Sequence, residues 1–340
     1  MDPFSARVLS RTSVTLSQLG FGGAPLGELF EKVAEATACS TVETAVEIGI
    51  RYFDTAPWYG HGMSEHRIGH VLRGQPRQSF VLSTKVGRVY SAPGPAQALG
   101  TSPWVGGLPF QLRFDYSYDG IVRSYEDSLH RLGLNRVDLL LIHDLDLNYH
   151  GSEEALEGHF LELERSGWKA LEELKASGQI GGIGAGVNQL GTIPRYLDRF
   201  DLDFFLVAMP YTLLDQEPLL DEFPRCQERG VGIIIGAPFA SGILATGAVE
   251  GAKYRYAAAS AEVARKVGSL EARCQRYGVP LAAAALQLPL GHPSVAAVIP
   301  GAISPEQVEA NVRLMQVEIP VELWQELKRD ELLLAETPTP

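Results

Sequence analysis

The sequence predicts an α/β fold, one closed (β/α)8 TIM barrel with an N-terminal β-hairpin in front and an extra C-terminal helix behind. Three observations carry this reading. Short apolar runs and runs of helical period alternate eight times along the chain. Runs such as VDLLLI and VGIII are apolar at successive residues, as strands of a parallel sheet covered on both faces must be. No change of composition and no Pro/Gly/Ser-rich linker divides residues 1–340, so the units are expected to form a single closed domain.

The elements follow in order. Residues 7–17, RVLSRTSVTLS, alternate loosely and predict the hairpin. A first strand at 19–22 leads to a helix placed by Ser40-Thr41-Val42-Glu43, a capping box, with Val42, Ala45, Val46 and Ile48 at helical spacing. Further strands are predicted at 52–54, 81–85, 137–143, 181–187, 204–208, 232–236 and 296–300. Helices are predicted at 64–72, 120–132, 165–176, 190–199, 217–229, 258–277 and 305–315, with the extra helix at 321–334. The start of the 258–277 segment, 257–264, reads as a small-residue helix for close packing. A doubly wound nucleotide-binding sheet would need GxGxxG after the first strand; the chain has GFGGAPLG, with Pro25 in place of the third glycine. Two connections, 88–119 and 144–164, are longer than usual and are expected to carry function.

Composition narrows the function classes. Hydrophobic content of 45% with 35 glycines fits a globular enzyme rich in tight turns. The 41 acidic and 29 basic residues give a net charge of -12, which argues against nucleic acid or an anionic membrane as partner. Cys39, Cys226 and Cys274 are widely spaced and form no CxxC, so neither disulfides nor zinc is indicated, and a reducing cytoplasm is expected. His66 and His70 share a helix face, but Arg67 stands where a zincin needs glutamate, so no metal is expected. No apolar run is long enough to span a bilayer, and no oligomeric state is assigned.

The chemistry begins in RYFDTAPWYG, residues 51–60, with Asp54 at a strand tip and Tyr59 in the loop after it. Lys85 ends the next strand (VLSTK) and His143 the one after (LLLIH), so these groups come to the strand ends where barrels build active sites. Taken singly, Lys85 reads as a solvated strand end and His143 as a core histidine; on neighbouring units with Asp54 and Tyr59, the four read as one site. A free phenol titrates near ~10, and the Lys85 ammonium is expected to lower that value, with Asp54 keeping Lys85 charged and aimed. His143 is expected to hydrogen-bond the oxygen of the reacting carbon. A phenol so placed trades a proton with an alcohol or carbonyl, which is half of a dehydrogenase reaction; a hydride carrier supplies the other half.

Across nearly the whole chain, the motifs FDTAPWYG, STKVG, LLLIHD, GAGVN, PYTLLDQ, GAPFASGIL and IPGAISPEQVEAN resemble the aldo-keto reductase superfamily. The resemblance implies a tetrad of Asp54, Tyr59, Lys85 and His143 with Tyr59 as acid/base. It implies cofactor contacts from Gly186, Val187 and Asn188, with Asn188 near the nicotinamide amide and Tyr211 stacked on its ring. Pro238, Phe239, Ser241, Gly242 and Leu244 would line the pyrophosphate, and Pro300, Gly301, Ser304, Gln307 and Asn311 would hold the adenosine end. Ser304-Pro305-Glu306-Gln307 also reads on its own as a helix start with free N–H groups. No lysine or arginine lies between Arg276 and Arg313, where relatives preferring NADP place a cation, so NAD is the expected cofactor and NADP the second choice.

Within the superfamily, FDYSYDGIVRSYEDSLHRLGLNRVDLLLIHDLD is similar to the branch that oxidises L-fucose, D-arabinose or L-galactose at the anomeric carbon, and to its relative that oxidises pyridoxal. A small sugar or pyridoxal is therefore the implied partner. Trp58, Tyr90, Trp104 and Asp144 are the candidate substrate contacts, Asp144 reading equally as an exposed strand-end carboxylate. General carbonyl reduction with NADPH and a nucleotide-binding channel subunit are the other functions the resemblance allows.

Overall fold

The computed structural model describes residues 1–94 and 103–340. Eight parallel strands follow one another: β1 (Phe21–Gly22), β2 (Tyr52–Asp54), β3 (Val81–Val86), β4 (Leu139–His143), β5 (Gly182–Val187), β6 (Phe204–Ala208), β7 (Gly232–Gly236) and β8 (Val295–Ile299). Each pairs with the next. Parallel bridges Leu19–Val298 and Gly22–Gly301 join the first unit to the last and close the barrel. The hairpin Ala6–Val8/Thr15–Ser17 lies ahead of them. Leu9 and Leu16 beside it pack into the barrel interior with Tyr52, Leu139, Phe204 and Ile234, plugging the end opposite the strand tips.

The period-2 alternation of a strand decides which side chains reach the interior. Along β4, Leu139 and Leu141 face inward, Leu140 and Ile142 face the helices, and His143 emerges inward at the tip. In β2 the same rule takes Tyr52 inward, Phe53 outward and Asp54 inward. In β3 it aligns Ser83 with Lys85; the Tyr52 hydroxyl lies 3.0 Å from Ser83 Oγ, which donates to Asp54 at 2.7 Å. The inward column of β5 is Gly182, Gly184 and Gly186. A Cβ on Gly184 would stand 2.6 Å from the Phe204 ring, so glycine there admits a large core side chain from β6.

Several boundaries differ from those predicted. The first helix is Glu35–Glu47, with Ser40 inside it rather than at its cap. Its start is fixed from outside, because Arg67 reaches Glu35 in the first turn, and Thr41 Oγ1 bonds back to the carbonyl of Thr37. Connection 88–119, part of which lies outside the described residues, is built on an antiparallel hairpin, Arg88–Ser91 with Gln111–Phe114. Connection 144–164 contains helices Leu147–His150 and Glu153–Glu162, capped by Asp146 and Ser152. Ala257 and Ala258 form an exposed short strand paired with Lys253–Tyr254, and the helix begins at Ala261 behind the Ser260 cap. A further helix, Leu281–Gln287, precedes β8. The terminal helix is Val321–Arg329. Among the described residues, no helix is long and apolar enough to cross a membrane.

The loop that carries Tyr59 is held by a close backbone approach. A Cβ on Gly27 would stand 2.5 Å from both Gly60 N and Tyr59 C, and Gly60 has φ of 64°. Backbone atoms cannot give way as a side-chain end can. Gly27→Ala is expected to destabilise the fold by about 1–3 kcal/mol, read as a lower thermal unfolding midpoint; an unchanged midpoint would show that the approach is not tight.

Candidate active site

At the strand tips, Lys85 Nζ donates to both oxygens of Asp54 at 3.0 and 2.8 Å, to the Thr55 carbonyl at 2.8 Å and to the Tyr59 hydroxyl oxygen at 3.0 Å. Asp54 and Lys85 are each only 1% exposed. The Tyr59 and His143 rings meet edge-on, centroids 5.7 Å apart. All four side chains of the expected tetrad are therefore brought together, with Tyr59, Lys85 and His143 on the wall of one cavity of about 260 Å³.

Electrostatics in this enclosure differ from the expectation for Tyr59. Its phenol is pushed well above the usual range, first by burial and then by Asp54 and Asp144. Lys85 does not reverse this, because its charge is already committed to the Asp54 carboxylate. Burial raises Asp54, with Lys85 and Ser83 opposing it. His143 is held well below the ordinary histidine range by burial, Arg88 and Lys85. At neutral pH the site presents a protonated phenol and a neutral imidazole.

Asp144 is not an exposed strand-end carboxylate. It is 3% exposed, and its φ of 46° is uncommon for a residue with a side chain. Its Oδ2 accepts from Arg88 Nη2 at 2.9 Å and lies 3.1 Å from His143 Nε2. Its Oδ1 accepts from Asn188 Nδ2 at 2.6 Å. Burial raises this carboxyl, opposed by Arg88, Lys85 and bonds from Asn188 and Tyr149.

Four further rings, Trp58, Trp104, Tyr149 and Tyr256, line the cavity beside aliphatic residues such as Leu29, Val187 and Leu206. Trp58 meets Trp104 edge-on at 5.7 Å and Tyr149 at 6.4 Å, and Trp104 is tilted against Tyr59. Tyr90 lies elsewhere, its hydroxyl donating to the Pro57 carbonyl at 3.0 Å and its ring beside His61, so it ties the hairpin to the Tyr59 loop. Gly186, Val187 and Asn188 line the cavity. Tyr211 is not among the lining residues: it is 1% exposed and packs edge-on against Phe223 and His292.

The segments expected at the rest of the nucleotide lie around the same strand ends. After β7, Ala237, Ala240, Ser241 and Gly242 all have positive φ, and Ser241 Oγ accepts from the amide of Tyr256. Pro238 is buried and Phe239 partly so, while Leu244 is sealed in the core. After β8, Ser304 caps helix Pro305–Gln316 by accepting from Gln307 N, and Gln307 Oε1 accepts from Ile303 N. Gly301 packs on Pro25, Pro300 is buried, and Asn311 is 7% exposed. Arg88, Tyr149 and Tyr256 were missed by sequence reasoning. Arg88 follows STKVG directly and its side chain is as buried as that of Lys85; Tyr256 arrives from a hairpin with no sequence signal.

Residues 18–330 match the Aldo/keto reductase family. The chain is 42% identical over 336 residues to the pyridoxal 4-dehydrogenase of Microbacterium luteolum, covering 96% of this chain and 97% of the relative. It is 36% identical over 334 residues to the D-threo-aldose 1-dehydrogenase of a Pseudomonas species, covering 96% of each. The solved holo form of aldo-keto reductase AKR11C1 from Bacillus halodurans superposes with a TM-score of 0.73 at 28% identity, covering 98% of both chains. With the barrel and the strand-tip geometry in agreement, the chain belongs to the aldo/keto reductase family and is an NAD(P)-dependent oxidoreductase.

Proposed function

We propose that the protein is an NAD-dependent dehydrogenase of cyclic hemiacetals, with pyridoxal, oxidised to its 4-lactone, as the leading substrate and aldoses as the second. The observation that carries this is the cavity itself. Tyr59, Lys85 and His143 line it together with the rings of Trp58, Trp104 and Tyr149. Rings at such contacts suit a flat aromatic substrate better than a pyranose, which presents hydroxyls on several sides. The pyridoxal-oxidising relative, the more similar of the two described, supports the same order.

The chain's residues fit a nicotinamide nucleotide. Asn188 Oδ1 and Gln189 Oε1, both at the tip of β5, have no hydrogen-bond partner among the described residues and could receive a carboxamide. Gly186 lines the cavity beside Lys85, where even a Cβ would come into contact with Lys85 Cε at 3.7 Å. The turn at 237–242, with four residues of positive φ, and the start of helix Pro305–Gln316 are the segments for the pyrophosphate and adenosine ends in this reading. When bound, NAD+ supplies the hydride acceptor. Asp54 and Lys85 then fix the Tyr59 oxygen, which takes the proton of the hemiacetal hydroxyl, while His143 holds that same oxygen as its carbon becomes the lactone carbonyl. NAD is favoured over NADP by the exposed Glu306 in the first helical turn and by Arg313 pairing with Glu309. A 2′-phosphate there meets a carboxylate instead of a cation.

Initial rates of reduced-nicotinamide formation with NAD and NADP against pyridoxal, L-fucose, D-arabinose and L-galactose test the reading. Pyridoxal with NAD is expected to be fastest; turnover of sugars alone makes it an aldose dehydrogenase, and silence with all four overturns it. Tyr59→Phe is expected to lose about 10²-fold or more in kcat while nucleotide affinity, followed by tryptophan fluorescence, is retained. Because the folded phenol is raised, its proton-accepting form grows as pH rises, so kcat/KM for oxidation is expected to climb through the neutral and alkaline range; a flat profile contradicts the assignment. Ile303→Arg is expected to shift the NADP-to-NAD affinity ratio by about tenfold toward NADP, and an unchanged ratio would misplace the adenosine pocket.

A further inference from the structure

Arg88 and Asp144 take no part in the chemistry proposed above, yet their side chains are only 1% and 4% exposed. Burying an arginine is costly unless its surroundings compensate. This guanidinium makes one side-chain bond, Nη2 to Asp144, and its Nε and Nη1 have no hydrogen-bond partner among the described residues. The rest of its environment is ring faces: Trp58 and Tyr149 at 4.5 Å from Cζ, and Phe114 at 5.2 Å. Asp144, though on the cavity wall, is already engaged through both oxygens, by Arg88 and His143 at Oδ2 and by Asn188 at Oδ1. A strained left-handed backbone persists where its surroundings over-determine it, and these three partners do so.

We propose that Arg88 and Asp144 are a positioning pair. Arg88 fixes the carboxylate; the carboxylate, 3.1 Å from His143 Nε2, keeps the one proton of the neutral imidazole on that nitrogen, the N–H offered to the reacting oxygen, and holds the Asn188 amide through its other oxygen. The group that holds the reacting oxygen and the group expected at the nicotinamide then share one anchor. Asp144 is thereby an anchor rather than a substrate contact. The proposal rests on His143 holding the reacting oxygen.

The ionisable groups around the pair are Asp54 of β2, Tyr59 and His61 in the loop after it, Lys85 of β3, Tyr90 and Tyr116 from the 88–119 connection, Asp146, Tyr149 and His150 after β4, Tyr196 after β5, and Tyr256 from the 253–258 hairpin. Arg88 and Lys85 oppose charging of His143. Asp146 is itself pushed up to about 7 by burial and Asp144. Removing Arg88 leaves Asp144 without its counter-charge, so the His143–Asp144 pair takes up a proton at higher pH.

The test is a titration of the full chain by ¹⁵N-histidine NMR, with His143→Asn for assignment, on wild type, Arg88→Met and Arg88→Lys. Proton uptake by the pair is expected to move up by about one pH unit or more in Arg88→Met and to return most of the way in Arg88→Lys. Asp144→Asn is expected to lower kcat with pyridoxal by about tenfold to a hundredfold, to change KM by less than about threefold, and to weaken NAD+ by about tenfold. An unmoved titration in Arg88→Met overturns the proposal, as does an Asp144→Asn enzyme with unchanged kcat and a much larger KM, since Asp144 would then touch substrate. Should Arg88→Met fail to fold, Arg88→Lys and Asp144→Asn carry the test. Should no hemiacetal be turned over, the titration and the NAD+ affinity still decide the positioning role separately from the substrate reading.

Discussion

The site depends on a lysine buried at the mouth of a barrel. An ammonium withdrawn from water needs acceptors in every direction it can donate. Lys85 finds them in Asp54 on the adjacent strand, the Thr55 carbonyl one residue further, and the Tyr59 oxygen in the following loop. Because donor and acceptors belong to different strands and a loop, satisfying one charge fixes the relative heights of β2, β3 and the turn between β2 and its helix. Ser83 repeats the tie one inward position below by donating to Asp54. The phenol is therefore placed before any ligand arrives, which is the preorganisation that proton-transfer sites need.

A second layer follows from the same burial. Six ionisable groups are crowded into one buried space, so their charges must be distributed among few partners. Asp54 takes Lys85, Asp144 takes Arg88, and His143, facing two cations, stays neutral. Tyr59, facing two carboxylates, keeps its proton. Each carboxylate is also tied to another unit, Asp54 by Ser83 within β3 and Asp144 by Asn188 just after β5. In the proposed reaction, the two groups left uncharged are the ones that meet the reacting oxygen.

The barrel was legible because its signals are periodic and redundant: eight apolar runs, a helix after each, and no break. The tetrad residues Asp54, Lys85 and His143 were legible because each ends a strand on its inward phase. What sequence could not supply was direction. Arg88 has the same residue-level signal as any arginine beside a hairpin, and only the ring faces of Trp58 and Tyr149 show why it turns inward. Tyr90 and Trp104 occupy the same long connection, yet one hydroxyl finds a carbonyl at Pro57 and ties the loop down while the other ring reaches the cavity. The Ser40 capping pattern was a local preference overridden by a tertiary contact, Arg67 with Glu35. The expected lowering of the Tyr59 phenol failed because burial, which the sequence does not display, raises the phenol first, and Asp54 and Asp144 add to it.

That last point bears on substrate choice. A phenol kept well above its usual range is a reluctant proton donor and, once ionised, a strong base. In oxidation the ionised form is scarce at neutral pH, so the reaction gains from a substrate whose hydroxyl gives up its proton readily. A hemiacetal hydroxyl is more acidic than a simple alcohol because a second oxygen on the same carbon withdraws charge. The same oxygen stabilises the carbon as hydride departs and ends in the lactone. In the proposed reaction, therefore, the proton affinity set by burial around Tyr59 and the preference for a cyclic hemiacetal have one origin. On the proposed reading, the rings lining the cavity select which hemiacetal enters, and the raised phenol, which is the base while NAD+ takes the hydride, favours a hydroxyl of hemiacetal acidity.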